Sequence, residues 1–365
     1  MKCLPFASRL PLAALALAAV TGSLSCATGN GTTSGTAGND TTSGTAGAGT
    51  AGTGGTGATG GGDPIGGFGG MGGKPDVPPV IYVHTNTALY QADPSKPDLA
   101  VTEIGPIDCI GGAGEDTSLT DLAVSADGQI WGISKTNVFR LEISGNTVLC
   151  TQTIPLNNPQ DIRFYGLTFA PKGVLDPDKE VLIAGNTAGE LWAVSESGQL
   201  TMHGTLGTVP ATDGNGNTYP YAGKKWELSG DVVFLENGGA PAGFATVRDC
   251  PNPPSSSGCH SIDTLVELNI TKLATAGSSS VLKSIRGQLV PSANCNDGTL
   301  GYGSIFGITA WKDKIFGFGR SQNLGGIAIT INNDTAEGCI LKTFTEEWSG
   351  AGVTTIADVD IPPPK

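Results

Sequence analysis

Few residues in this chain are of types that do chemistry. There are three histidines, His84, His203 and His260, and the strand pattern set out below puts them in different repeats, so they cannot meet as metal ligands. In "CHSID", His260 and Asp263 supply two parts of a Ser-His-Asp arrangement, but no strained turn that would expose a nucleophilic serine is present. There is no phosphate-cradling loop and no Cys-x-x-Cys pair. The loop "TDGNGNTYPY" alternates Asp213, Asn215 and Asn217 as oxygen ligands do in calcium loops. That match breaks at Thr218, where glycine is needed, and at Lys224, where the bidentate acid belongs. Calcium is the one cofactor considered; otherwise none is expected. Among the aromatic residues, Trp226 and Trp348 lie closest to loops, and Tyr219 and Tyr221 sit on the long loop. These four are the candidate binding residues, and the remaining tryptophans are read as packing within strands.

The elements that must position such residues are strands. From Val80 onward, runs of four to eight residues rich in Val, Ile, Leu, Thr, Phe and Tyr are broken by Gly, Asn, Asp and Pro, with no sustained helical period. The block Thr120–Ile154 parses into four strands, Asp121–Ser125, Gln129–Ser134, Asn137–Ser144 and Thr147–Ile154, with tight turns at "ADG" and "SGN". Comparable blocks follow over Tyr165–Gly207, Ser229–Leu289 and Phe306–Phe344. Before them come three strands over Ile81–Gly105, which match the second to fourth strands of a block. The missing first strand is assigned to Thr354–Val359 at the other end. The expected fold is all-β, a five-bladed β-propeller of four-stranded blades, spanning residues 79–365 and closed by its C-terminal strand. Stacked blades cover each other's faces and leave only short edges. Two β-sandwiches would also show short strands and turns, but the same order of strand types recurs in all five units.

The units, "LAVSADGQIWGIS" and "LTFAPKG" above all, resemble bacterial propeller repeats of the NHL and YVTN type, a resemblance that implies fold and says little of activity. Asp121, Asp231 and Asp358 are placed on innermost strands, facing the channel. Lactone-hydrolysing propellers hold a divalent cation with channel carboxylates, so a metal-dependent hydrolase at the channel mouth is the rival to a non-catalytic binding or scaffold propeller. Against the hydrolase, the three acids have no His or Asn company and the chain shows no catalytic cluster.

The N-terminus speaks of export. Lys2 and Arg9 supply the positive end before the apolar run Leu10–Val20, which is too short to span a bilayer as a helix. Residues 1–26 are therefore read as a signal peptide. Its end, "GSLSCATG", resembles the lipobox of bacterial lipoproteins, with Cys26 as the lipidated residue. Ser23 stands where leucine is usual, which leaves cleavage after Ala27 and a soluble secreted product as the alternative. Residues 27–78, with "TTSGTAG" repeated at Thr32–Gly38 and Thr41–Gly47, lack the apolar bulk to order themselves and are expected to form a disordered tether. About 50 such residues reach roughly 35–42 Å.

The predicted location is the bacterial cell envelope, with membrane contact only through the lipid anchor. The net charge of −13 excludes nucleic acid as a partner. A protein, a glycan or a cell-wall component remains, bound by a monomer. Setting aside Cys3 and Cys26 leaves six cysteines, which allow 15 pairings. The repeat register puts Cys109 and Cys295 in equivalent connections, and Cys150 and Cys339 in equivalent outer strands. The same bridge made twice, Cys109–Cys150 and Cys295–Cys339, leaves Cys250–Cys259 across a hairpin tip.

Overall fold

Two glycine-containing turns show how the repeat folds locally. Gly128 and Gly145 adopt φ of 82° and 62°, a left-handed conformation that costs glycine nothing, and so reverse the chain tightly between strands of the second repeat. The computed structural model describes residues 79–359, apart from 114–115, 158–162, 238–239, 256, 296 and 322–323. The signal segment, the lipobox-like Cys26 and the linker of residues 27–78 lie outside the described residues.

Five antiparallel sheets of four principal strands form the blades of a β-propeller. From blade 1 to blade 5, the innermost strands are Gly350–Gly352, Asp121–Val124, Phe164–Ala170, Glu227–Leu235 and Ile305–Trp311. Side chains alternate between the two wedges that flank a blade. In blade 2, Ile130 joins the apolar cluster shared with blade 1, while Trp131 and Ile133 join the one shared with blade 3. Each wedge is thus filled from two sheets, which is why one blade cannot stand alone.

Neighbouring blades also meet at their rims. The turn between the third and fourth strands of one blade rests against the end of the fourth strand of the blade before. A Cβ on Gly105 would fall 1.9 Å from Asn146 O, and one on Gly198 would fall 1.9 Å from Pro155 O. Residues 107–108 and 290–291 add short parallel pairings to the outer strands of blades 2 and 5. Disulfides pin both places: Cys109–Cys150 and Cys295–Cys339, with Cys250–Cys259 closing the tip of a blade 4 hairpin. These are the pairings given by the repeat register. They fit an oxidising, extracytoplasmic compartment. Among the described residues, no helix is long and apolar enough to cross a membrane.

The ring closes through the C-terminal part of the chain, but with a strand that begins four residues earlier than the sequence suggested. Gly350–Gly352 pairs with Ile81–His84, in the register Tyr82 to Gly352 and His84 to Gly350. The β-branched stretch Thr354–Val359 is not that strand. It runs across the ends of the innermost strands, where Glu236 N donates to Thr355 O at 2.7 Å and Lys312 N donates to Asp358 O at 2.5 Å. Crowding at the axis decides the matter. A Cβ on Gly350 would lie 2.3 Å from both Asp121 Oδ1 and His84 Nε2, and one on Gly352 would lie 2.4 Å from Leu122 Cδ1. Space at the seam outweighs β-propensity.

Candidate functional site

The ring axis and one interblade groove hold the chemistry. At the axis, the innermost strands read "DLAV", "GLTF", "DVVF", "GITA" and "GAGV", so blades 2 and 4 bring Asp121 and Asp231 where the other three bring glycine. Both aspartates are fully buried. Leu167 N donates to Asp121 Oδ2, while Ile308 N donates to Asp231 Oδ2 at 2.8 Å and Val232 N to Asp231 Oδ1 at 2.6 Å. Burial, and then the Asp231 charge, push the Asp121 carboxyl well above the usual range; burial does the same to Asp231. The two carboxyls interact across the axis, so the pair holds a proton to higher pH than free carboxyls would.

His84 stands beside this pair, its Nε2 3.9 Å from Asp121 Oδ1. Its ring is wholly buried, which lowers its pKa to about 4. Nδ1 is hydrogen-bonded to Thr85 O at 2.7 Å. Because that carbonyl only accepts, Nδ1 carries the hydrogen and Nε2 is left as an acceptor. The channel acids therefore do have a histidine neighbour, contrary to the sequence reading. The expected three-carboxylate set does not form, because Asp358 lies on the crossing segment rather than on an innermost strand. With every member of the axial group at 0% exposure, it fills the narrow centre of the ring and satisfies strand N–H groups there.

Most of the other expected site residues are structural. Trp226 and Trp348 are fully buried. Tyr219 packs edge-on to Trp226 at 5.2 Å, and Trp348 receives Tyr90 and Phe344 at 5.1 and 4.9 Å. These three are core residues, not stacking platforms, because interblade wedges need large planar fillers. Tyr221 is half-buried and donates its hydroxyl to Gly258 O.

In the calcium-like loop, the Asp213 carboxylate takes hydrogen bonds from Asn215 N, Asn217 N, Asn217 Nδ2 and Tyr219 OH. Asn215 Nδ2 turns away to Arg286 O. The Asp213 carboxylate holds the loop's own backbone, as in an Asx turn, and the two asparagines act through their amide nitrogens. His260 faces Asp249 at 3.7 Å, while Asp263 accepts from Ser229 Oγ at 2.6 Å and Ile305 N at 2.9 Å, so no triad is assembled.

Nothing in the sequence points to the groove between blades 2 and 3. Its volume is about 760 Å³, against about 410 and 390 Å³ for two other clefts. The floor is apolar, with Trp131, Phe169 and Leu182; the rim comes from the Ser125–Gln129 turn, the Ser195–Gln199 hairpin and Glu180. The strand pattern assigns Trp131 to packing alone. Its ring does join the wedge between the blades, yet it stays half-exposed and lines the opening. Nothing in "QIWGIS" separates those two roles, since they differ only in how the opposite blade fills the space.

No family model and no curated protein matches the sequence. Similar solved structures include a protein of unknown function from Bacteroides caccae, at 11% identity and a TM-score of 0.40, with 76% of this chain and 98% of that one covered. A putative TolB from Agrobacterium tumefaciens has 8% identity and a TM-score of 0.37, covering 75% and 92%. Virginiamycin B lyase from Staphylococcus aureus has 14% identity and a TM-score of 0.29, covering 74% and 70%.

Proposed function

We propose that this is an exported, surface-tethered, non-catalytic binding propeller that takes its ligand between blades 2 and 3. The observation that carries this reading is the groove itself. Its volume falls within the roughly 300–1,000 Å³ usual for ligand sites, and a half-exposed tryptophan forms part of an apolar floor beneath a polar rim. The ligand belongs to a protein, a glycan or a cell-wall component, and the N-terminal lipid on Cys26 would keep the ring at the membrane surface. The hydrolase alternative has two carboxyls at the axis, but both are sealed from solvent and the third acid lies elsewhere.

Glycan and peptide arrays probed with the wild-type chain and with Trp131→Ala test the reading. Hits that vanish in the variant support it. Hits indifferent to Trp131 would move the site out of the groove, and lactone or ester turnover abolished by Asp121→Asn would replace the binding role with catalysis.

A further inference from the structure

The groove has an electrical character as well as a shape. Glu180 lies at its edge, half-buried, with Oε2 accepting from Ala126 N at 2.7 Å and Oε1 from the Thr355 hydroxyl. Both donors are neutral, so they hold the carboxylate in place without cancelling its charge. Asp127 and Glu236 repel it electrostatically, which gathers negative charge at this end of the opening. The nearest lysine in sequence, Lys179, turns instead to Glu196 at 3.2 Å. Among the described residues, no basic side chain forms an ion pair with Glu180 or Asp127.

Of the other groups on the walls, the aromatic rings and His203 are electron-rich, and the one ammonium group, that of Lys179, is engaged by Glu196 on the same rim. Trp131 and Phe169 present ring faces or edges to an apolar cavity, and aromatic faces attract cations. His203 bonds Leu273 O through Nδ1, so its Nε2 is an acceptor in the neutral ring. A groove with an apolar floor, acceptors at the rim and one anchored, uncompensated carboxylate is complementary to an apolar body that carries a positive charge. A carboxylate or phosphate ligand would meet Glu180 and Asp127 with repulsion, and an uncharged one would leave Glu180 uncompensated.

We infer that the groove between blades 2 and 3 is a binding site for small ligands that join an aromatic or aliphatic body to an ammonium group, the body over Trp131 and the charge towards Glu180. This rests on the groove being the binding site, and it adds the chemical class of what binds.

The test uses the full chain and three probes with one body: 2-phenylethylamine, 2-phenylethanol and phenylacetate. Binding is followed by saturation-transfer NMR and by titration of tryptophan fluorescence at neutral pH and low salt. The amine is expected to bind about tenfold more tightly than the alcohol, a difference of about 1.4 kcal/mol, and phenylacetate more weakly than either. Glu180→Gln keeps an acceptor for Ala126 N and is expected to bring amine and alcohol level, whereas Trp131→Ala is expected to weaken both.

Equal or stronger binding of phenylacetate, or a preference for the amine that survives Glu180→Gln, would overturn the inference. If Trp131→Ala still abolished binding in that case, the groove would stand as the site and only its charge preference would fall. Probe binding that ignores Trp131 would remove both.

Discussion

His84 and Asp121 make opposite demands on pH. The His84 pKa falls to about 4 in the folded ring against 6.5 for a free histidine, so below pH 6.5 the unfolded chain binds a proton that the fold refuses. That contribution is present above pH 6.5 and is lost as pH falls to 4, by about 3 kcal/mol in all. His84→Asn should flatten this slope in urea unfolding measured between pH 7 and 4; an unchanged slope would mean that the ring does not hold a neutral imidazole. The axial carboxyls run the other way. Their folded pKa values are raised, so their stabilisation is full in acid and lost as pH rises through those values. Asp121→Asn supplies a donor to Asp231 that cannot ionise, and it should gain stability relative to wild type as pH rises towards 8. None of this could be read from three acids in a sequence, because burial and the 3.9 Å approach of His84 to Asp121 arise only when blades 1 and 2 meet. Gly350 is a third case. Gly350→Ala should cost about 1–3 kcal/mol, the usual range for overpacking, because the added methyl meets Asp121 and His84; thermal unfolding at constant pH measures it.

Among the elements, strand periodicity and turn residues were legible in every blade except at the closing strand. The block from Asp121 to Ile154 folds close to the bounds its alternation gives, because every strand there is set by local propensity and a two-sided wedge. The closing strand was not legible, since "GAG" carries no β-propensity and its place depends on room at the axis. The two halves of the C-terminal segment should therefore behave differently when removed. Truncation after Gly352 leaves the seam paired but strips away Val353, Ala357 and Val359, all buried against the core of blades 1, 4 and 5. A lower melting temperature with retained solubility is expected. Truncation after Ser349 also unpairs Ile81–His84 and should aggregate, as exposed strand edges do. Size-exclusion chromatography beside thermal denaturation separates the two outcomes, and equal behaviour would contradict the observed closure.

For the molecule as a whole, the two long-range disulfides set the reference for stability. They join residues 41 and 44 positions apart, and each should contribute roughly 3–4 kcal/mol by restricting the unfolded chain. Replacing Cys109 and Cys150 by serine should lower the melting temperature, and replacing all four should lower it by about the sum, because the bridges pin different blades. A double variant as stable as wild type would show that the rim pairings hold the blades without them.

Closure at Gly350–Gly352 also bears on the order in which the ring is threaded. Because Tyr82 lies opposite Gly352, the first and last strands of the ring meet as neighbouring strands of one hairpin that lacks its turn. Joining them with a short glycine-containing loop and opening the chain in the Ala126–Gly128 turn would give a circular permutant. Its shared blade would then be the one now counted second. The ring has no first blade of its own; which blade is shared belongs to the order of the gene, and the permutant, lacking Val353–Val359, should pair its strands as the wild type does but melt lower.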